Sequence, residues 1–139
     1  MKEYDVFIAG GGFAGSIAAK FAAKGGLKTL FVERYKTPRM NSCSGIQFPY
    51  LEKIIGEKIP SEKLCTNVLN KVSIVLPDGK KAKAPFKRLN FTRDVFDAWL
   101  NQVAIKNRAK FRDECTLIDW EIKTNNIIVT ISDKDKNLE

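Results

Sequence analysis

The chain has 139 residues, which suits one domain and is short for an enzyme that must build both a cofactor half and a substrate half. Its net charge is +8, 44% of it is hydrophobic, and it contains three cysteines and no histidine. Histidine triads and most zinc sites are thereby excluded, and the odd, widely spaced Cys43, Cys65 and Cys115 argue against a disulfide framework or a metal centre.

Asp5 to Ala9 is a short apolar run that reads as a strand, and it leads directly into Gly10-Gly11-Gly12-Phe13-Ala14-Gly15. Ser16 to Lys24 has helix composition, with Ile17, Ala18, Phe21 and Ala22 at helical spacing and Gly25-Gly26 as its stop. Leu27 to Val32 is a second apolar strand, closed by Glu33. Each part has a chemical reason in a dinucleotide site. Gly10 permits the tight turn, Gly12 lets a pyrophosphate approach the backbone, and Gly15 lets the helix pack closely on the strand. The helix start offers amide groups and partial positive charge to phosphate. Glu33, about twenty residues past the turn, accepts hydrogen bonds from an adenosine ribose and repels a 2′-phosphate, favouring FAD or NAD over NADP.

Arg34 to Ser42 is polar and carries Pro38, so it is expected as a loop along the cofactor, with Arg34 and Arg39 each either neutralising phosphate or standing as surface charge. Cys43-Ser44-Gly45-Ile46 is small enough for close backbone approach to a flat ring. Its thiol is either a redox candidate or a small buried hydrophobe. Pro49 to Glu57 is expected as a short helix with Leu51, Ile54 and Ile55 on one side.

Asn67 to Leu76 alternates as a strand, Pro77-Asp78-Gly79 marks a turn, and Lys80 to Pro85 returns, giving an antiparallel ribbon at about 67–90. The dense run Lys80, Lys81, Lys83, Lys87 and Arg88 reads either as attraction to an acidic partner such as nucleic acid or anionic lipid or as a solvated face, and the solvated face is the favoured reading. Aromatic residues do not interleave with it, so no nucleic-acid partner is expected. Leu89 to Phe91 is a short strand. Thr92 then caps a helix from Arg93 to Asn107 whose apolar stripe is Val95, Phe96, Trp99, Leu100 and Val103, and whose opening Arg93 is a phosphate or cofactor-edge candidate. Lys110 to Arg112 reads as a third parallel strand, and Cys115 to about 132 as a second hairpin. The charged end, 133–139, is expected to fray, and its Leu138-Glu139 pair has the form of an expression-vector scar. No stretch has the length of a membrane span, and the N-terminus lacks a signal-peptide pattern, so a cytoplasmic protein is expected.

Taken together, several segments resemble the N-terminal part of the FAD-dependent geranylgeranyl reductase family, within the p-hydroxybenzoate-hydroxylase-like flavoproteins. They are Tyr4-Asp5-Val6, the turn from Gly10 to Ser16, Ala18-Ala19, Gly26-Leu27, Val32-Glu33-Arg34, Cys43-Ser44-Gly45 and the stretch from Arg93 to Leu100. The resemblance implies an α/β fold. Its core is a Rossmann-like FAD/NAD(P)-binding βαβ unit with an antiparallel β-ribbon layer, incomplete relative to the full family fold. It further implies FAD at Gly10, Gly12, Ala14, Gly15, Glu33, Arg34, Ser44, Gly45, Arg93 and Leu117, with Cys43 as the catalytic candidate. The chain is expected to be a FAD-binding segment, 1–139, of a longer oxidoreductase that reduces prenyl-chain double bonds, with NAD(P)H as an electron donor. The alternatives are a segment of an electron-transfer-flavoprotein dehydrogenase, monooxygenase or halogenase, or a non-catalytic nucleotide-binding module. A prenyl-lipid or other small-molecule substrate, a peripheral membrane contact and a homodimer through an exposed sheet edge complete the expectations.

Overall fold

The computed structural model describes residues 2–48 and 50–133. The expected helix start at Pro49 and residues 134–139 of the charged end, including Leu138-Glu139, lie outside them. The chain divides into two compact units, residues 1–40 with 97–139 and residues 41–96.

The first unit contains the parallel sheet. Strand β1 (Val6–Ala9) pairs with β2 (Thr29–Val32), and β2 with β6 (Lys110–Arg112), in the order β1-β2-β6. Helix α1 (Phe13–Lys24) joins β1 to β2 and begins three residues earlier than its composition suggests. It stops as expected: Gly25 donates to the Phe21 carbonyl, Gly26 adopts φ +91°, and Leu27 donates to the Ala22 carbonyl. Alternation along β2 divides the core. Phe31 packs with Ala19, Ala23, Ala104 and Ala109 on one face, while Leu30 and Val32 pack with Cys115 and Ile131 on the other. Cys115 and Ile131 come from the hairpin of β7 (Cys115–Ile122) and β8 (Ile127–Asp133), which matches the predicted second hairpin. The distal half of that hairpin leaves Trp120, Ile122 and Ile127 exposed.

The second unit is built on a three-stranded antiparallel sheet, β3 (Ile46–Gln47), β5 (Lys81–Phe91) and β4 (Cys65–Val75), in the order β3-β5-β4. The ribbon is longer and more continuous than the sequence suggests, because the expected return at Lys80–Pro85 and the expected short strand Leu89–Phe91 belong to one strand, which begins at Lys81. Pro85 is tolerated opposite Lys71 because β3 pairs only with Leu89 and Asn90, leaving β5 a free edge at the proline, and a register shift between Leu69 and Lys71 absorbs the irregularity. Helix α2 (Leu51–Ile55) ends at Gly56 in the left-handed region, φ +68°. Leu51 and Ile55 are buried, but Ile54 faces out, against the expected three-residue stripe. A single helical turn, α3 (Ser61–Leu64), was not foreseen, and the ring of Phe91 stacks on that of Phe96.

Helix α4 (Arg93–Lys106) contributes its first four residues to the second unit and the rest to the first. Its expected apolar stripe holds at Phe96, Leu100 and Val103 and fails at Val95, which is exposed. The buried positions that replace it in the pattern are polar: Asp97 and Asn101, each 1% exposed.

Candidate functional site

In the first unit the site grows out of the β1–α1 turn. Gly10 has φ +118°, a conformation that favours glycine, and its amide donates to the Val32 carbonyl, fixing the turn to the end of β2. A Cβ on Gly15 would lie 1.9 Å from the Gly10 carbonyl oxygen and 3.3 Å from Ile8 Cγ2. The helix therefore approaches the strand as closely as backbone allows, which is the packing role expected of this glycine. Gly12, the residue before α1, has no side chain to cap the helix, and no acidic residue stands in its first turn. The positive end of the helix dipole is thus left for another anion. Ala14 is exposed in that first turn.

Glu33 is the anchor of this arrangement. It is 4% exposed, and its two oxygens are held by separate groups. Gly11 N–H donates to Oε2 at 3.1 Å and Tyr35 N–H donates to Oε1 at 3.2 Å. The backbone is fixed as well, since Glu33 N–H donates to the Arg112 carbonyl and Cys115 N–H donates to the Glu33 carbonyl. A carboxylate receiving two backbone amides is fixed in position, as a ribose-binding acid must be.

Of the two arginines in the following loop, the structure brings Arg39 to the turn and leaves Arg34 outside it. Arg34 is exposed, with its guanidinium 4.7 Å from the Tyr35 ring centroid. Arg39 Nε lies 2.9 Å from Glu33 Oε2, an electrostatic contact off the hydrogen-bond direction, and Nη2 lies 3.9 Å from Asp97 Oδ2. The same Nη2 would be 3.1 Å from a Cβ on Gly12, so the space that Gly12 opens faces a cation.

Sequence reasoning missed Ser16, Asp97 and Asn101 as members of this constellation. Ser16 Oγ lies 2.8 Å from the Gly12 carbonyl oxygen, 3.2 Å from that of Gly11 and 2.6 Å from Asn101 Oδ1, joining α1 to α4 beneath the turn. Asn101 Nδ2 is buried with no hydrogen-bond partner. The available signal was an Asp and an Asn four residues apart inside an otherwise apolar helix face, a spacing that places both on one side. Leu117 is half-buried on β7 opposite Ile131, two residues beyond the Cys115 amide that binds Glu33.

The remaining predicted residues lie in the second unit. Gly45, at φ +70°, would bring a Cβ to 1.9 Å from the Phe91 carbonyl oxygen. Phe91 N–H donates to the Gly45 carbonyl at 3.0 Å, and Asn90 Nδ2 donates to the Ser44 carbonyl. The Ser44–Gly45 segment is therefore stitched to the end of β5, two residues before Arg93 opens α4. Cys43 is exposed, and Gly45 N–H points at its Sγ from 3.5 Å. Next to Arg93, the Asp94 carboxyl is held below its ordinary range by the Thr92 hydroxyl and the Val95 amide. Among the described residues, no cluster of three or more metal-ligating side chains occurs, and no helix is long and apolar enough to cross a membrane.

No family model matches the chain. It is 32% identical over 114 residues to protein FixC of Azotobacter vinelandii, covering 74% of this chain and 27% of FixC. With digeranylgeranylglycerophospholipid reductase 3 of Methanosphaera stadtmanae it shares 28% identity over 146 residues, covering 98% of this chain and 36% of the reductase. The solved structure of a geranylgeranyl bacteriochlorophyll reductase-like protein from Thermoplasma acidophilum superposes with a TM-score of 0.81 at 26% identity, over 96% of this chain and 36% of that one. The myxobacterial halogenase CndH, at 18% identity and TM-score 0.84 over 98% of this chain and 34% of its own, shares the fold. The chain spans about a third of the length of the relatives it matches. Over the part that it spans, the chain is similar in sequence and in fold to reductases of geranylgeranyl compounds.

Proposed function

We propose that the chain is the FAD-binding segment of a flavin-dependent oxidoreductase that reduces carbon–carbon double bonds of a prenyl chain. The observation that carries the cofactor assignment is the Glu33 carboxylate, buried at the end of β2 and tied by the Gly11 amide to the turn that opens α1. The residues fit a dinucleotide. An added Cβ at Gly10 would meet nothing within 4 Å, Gly12 faces only the Arg39 guanidinium and the Asp97 carboxylate, and the start of α1 lacks a side-chain cap. In this reading Glu33 accepts the adenosine ribose hydroxyls, the α1 amides and Arg39 face the pyrophosphate, and Leu117 borders the adenine.

In the second unit, Ser44, Gly45 and Arg93 are the proposed flavin contacts, with Cys43 as the catalytic candidate. The Ser44–Gly45 backbone is pinned to the end of β5, and the Gly45 amide is directed at Cys43 Sγ. When bound, FAD supplies the two-electron chemistry, and the chain's own work is orientation and electrostatics. The substrate class rests on the relatives named as reductases of geranylgeranyl compounds.

The test is titration of the purified chain with FAD, followed by flavin fluorescence, together with a visible spectrum after desalting. Saturable quenching and a retained flavin band that bleaches with dithionite are expected. Absence of saturable binding overturns the cofactor assignment.

A further inference from the structure

A carboxylate has about four acceptor positions shared between its oxygens. On Glu33 the Gly11 amide takes one at Oε2 and the Tyr35 amide takes one at Oε1, so roughly two are left for the hydroxyls of a ribose. Arg39 stands against that remainder, with Nε 2.9 Å from Oε2. Its other end reaches over the turn, where Nη2 lies 3.9 Å from Asp97 Oδ2 and 3.1 Å from a Cβ built on Gly12. The guanidinium therefore sits between two buried carboxylates, in the space that a ribose and a pyrophosphate would share.

The arginine is delivered there by a tether. Asp113 Oδ2 accepts from the Thr37 amide at 2.8 Å and from the Thr37 hydroxyl at 2.9 Å, two residues before Arg39. Its donors are not all spent, since Nε is buried with no hydrogen-bond partner. All of these residues belong to the first unit.

We infer, resting on the nucleotide reading of this turn, that Arg39 is the specificity determinant of the cleft: it admits nucleosides that carry a diphosphate and opposes the bare nucleoside. To bond both oxygens of Glu33, a ribose must move the guanidinium off Oε2. A diphosphate beside Gly12 gives the displaced guanidinium a new, charge-assisted partner. An uncharged nucleoside gives it none and strands a largely buried cation. One residue thus attracts the whole ligand and penalises its fragment, and the penalty adds selectivity beyond the direct contacts. An arginine that only met phosphate would leave nucleoside binding untouched, and one that only neutralised Glu33 would treat both ligands alike.

The experiment is an amide NMR titration of the full, isotope-labelled chain with ADP, with adenosine, and with adenosine in the presence of inorganic pyrophosphate. In the unaltered chain, saturating pyrophosphate is expected to tighten adenosine binding about threefold, because it draws Arg39 away from Glu33. Arg39→Gln weakens ADP about tenfold and tightens adenosine about threefold, whereas Arg39→Lys, which keeps the charge, retains most of the preference for ADP. The pyrophosphate measurement needs no variant, so it decides the matter even where Arg39→Gln fails to fold. Equal weakening of both ligands by Arg39→Gln, adenosine binding unchanged by that substitution, or pyrophosphate that competes with adenosine or leaves it unaffected each overturns the inference, while ADP binding to the unaltered chain keeps the nucleotide reading intact. Failure of the unaltered chain to bind ADP overturns both.

Discussion

Arg39 Nε stands 2.9 Å from Oε2 of Glu33, so the carboxylate proposed to receive a ribose already holds a cation of its own chain. Both groups are largely buried, with side-chain exposures of 16% and 5%. Removing one partner strands the other. Arg39→Ala is expected to cost about 2–3 kcal/mol in urea unfolding, and the same change on a Glu33→Gln background only about 1 kcal/mol. Equal costs on both backgrounds would show that the pair carries no coupling.

The nucleotide reading makes a second prediction at the same carboxylate. Glu33→Ala should weaken FAD binding at least about tenfold, since hydrogen bonds to a charged acceptor contribute about 1.5–3 kcal/mol. In competition titrations, NADP should displace FAD less well than NAD, because a 2′-phosphate meets the Glu33 charge.

Gly15 is the position where a single methyl group has nowhere to go. Gly15→Ala places Cβ against the Gly10 carbonyl at 1.9 Å, and the expected outcome is a loss above about 4 kcal/mol or failure to fold. Gly25→Ala is the control: its φ is −74° and the nearest atom to an added Cβ is 3.3 Å away, so a change within about 1 kcal/mol is expected. Thermal melts of the two variants decide the comparison.

Asp94 sets an acid-side prediction. Its folded pKa is lowered, chiefly by the Thr92 hydroxyl and then by the Val95 amide, so folding favours the carboxylate. That contribution is fully present above the ordinary aspartate range, near pH 4, and is lost as pH falls through the lowered folded value. Asp94→Asn should therefore lower the melting temperature at neutral pH and flatten its fall on acidification. A parallel shift of the two acid limbs would count against this.

What the sequence determined by itself is the local chemistry of the turn and of the helix ends. Gly10, Gly15 and the strand–helix–strand order around them are specified by backbone conformation within a few residues, and Glu33 follows from its fixed place at the end of β2. Thr92 and Asp94 were legible for the same reason, as neighbours in one helical turn. Tertiary structure decided which groups converge on that turn. Arg39 rather than Arg34 faces it, because the loop folds back to Glu33 and Asp97. Asp97 and Asn101 are buried, because α4 packs its polar positions under α1 instead of presenting them to water. The continuity of β5 across Pro85 was equally hidden, since a proline is acceptable in a strand only where no neighbour needs its amide, and strand order alone reveals that. A periodic pattern records how much of a side chain is apolar; which buried polar groups satisfy one another depends on contacts between segments far apart in the chain.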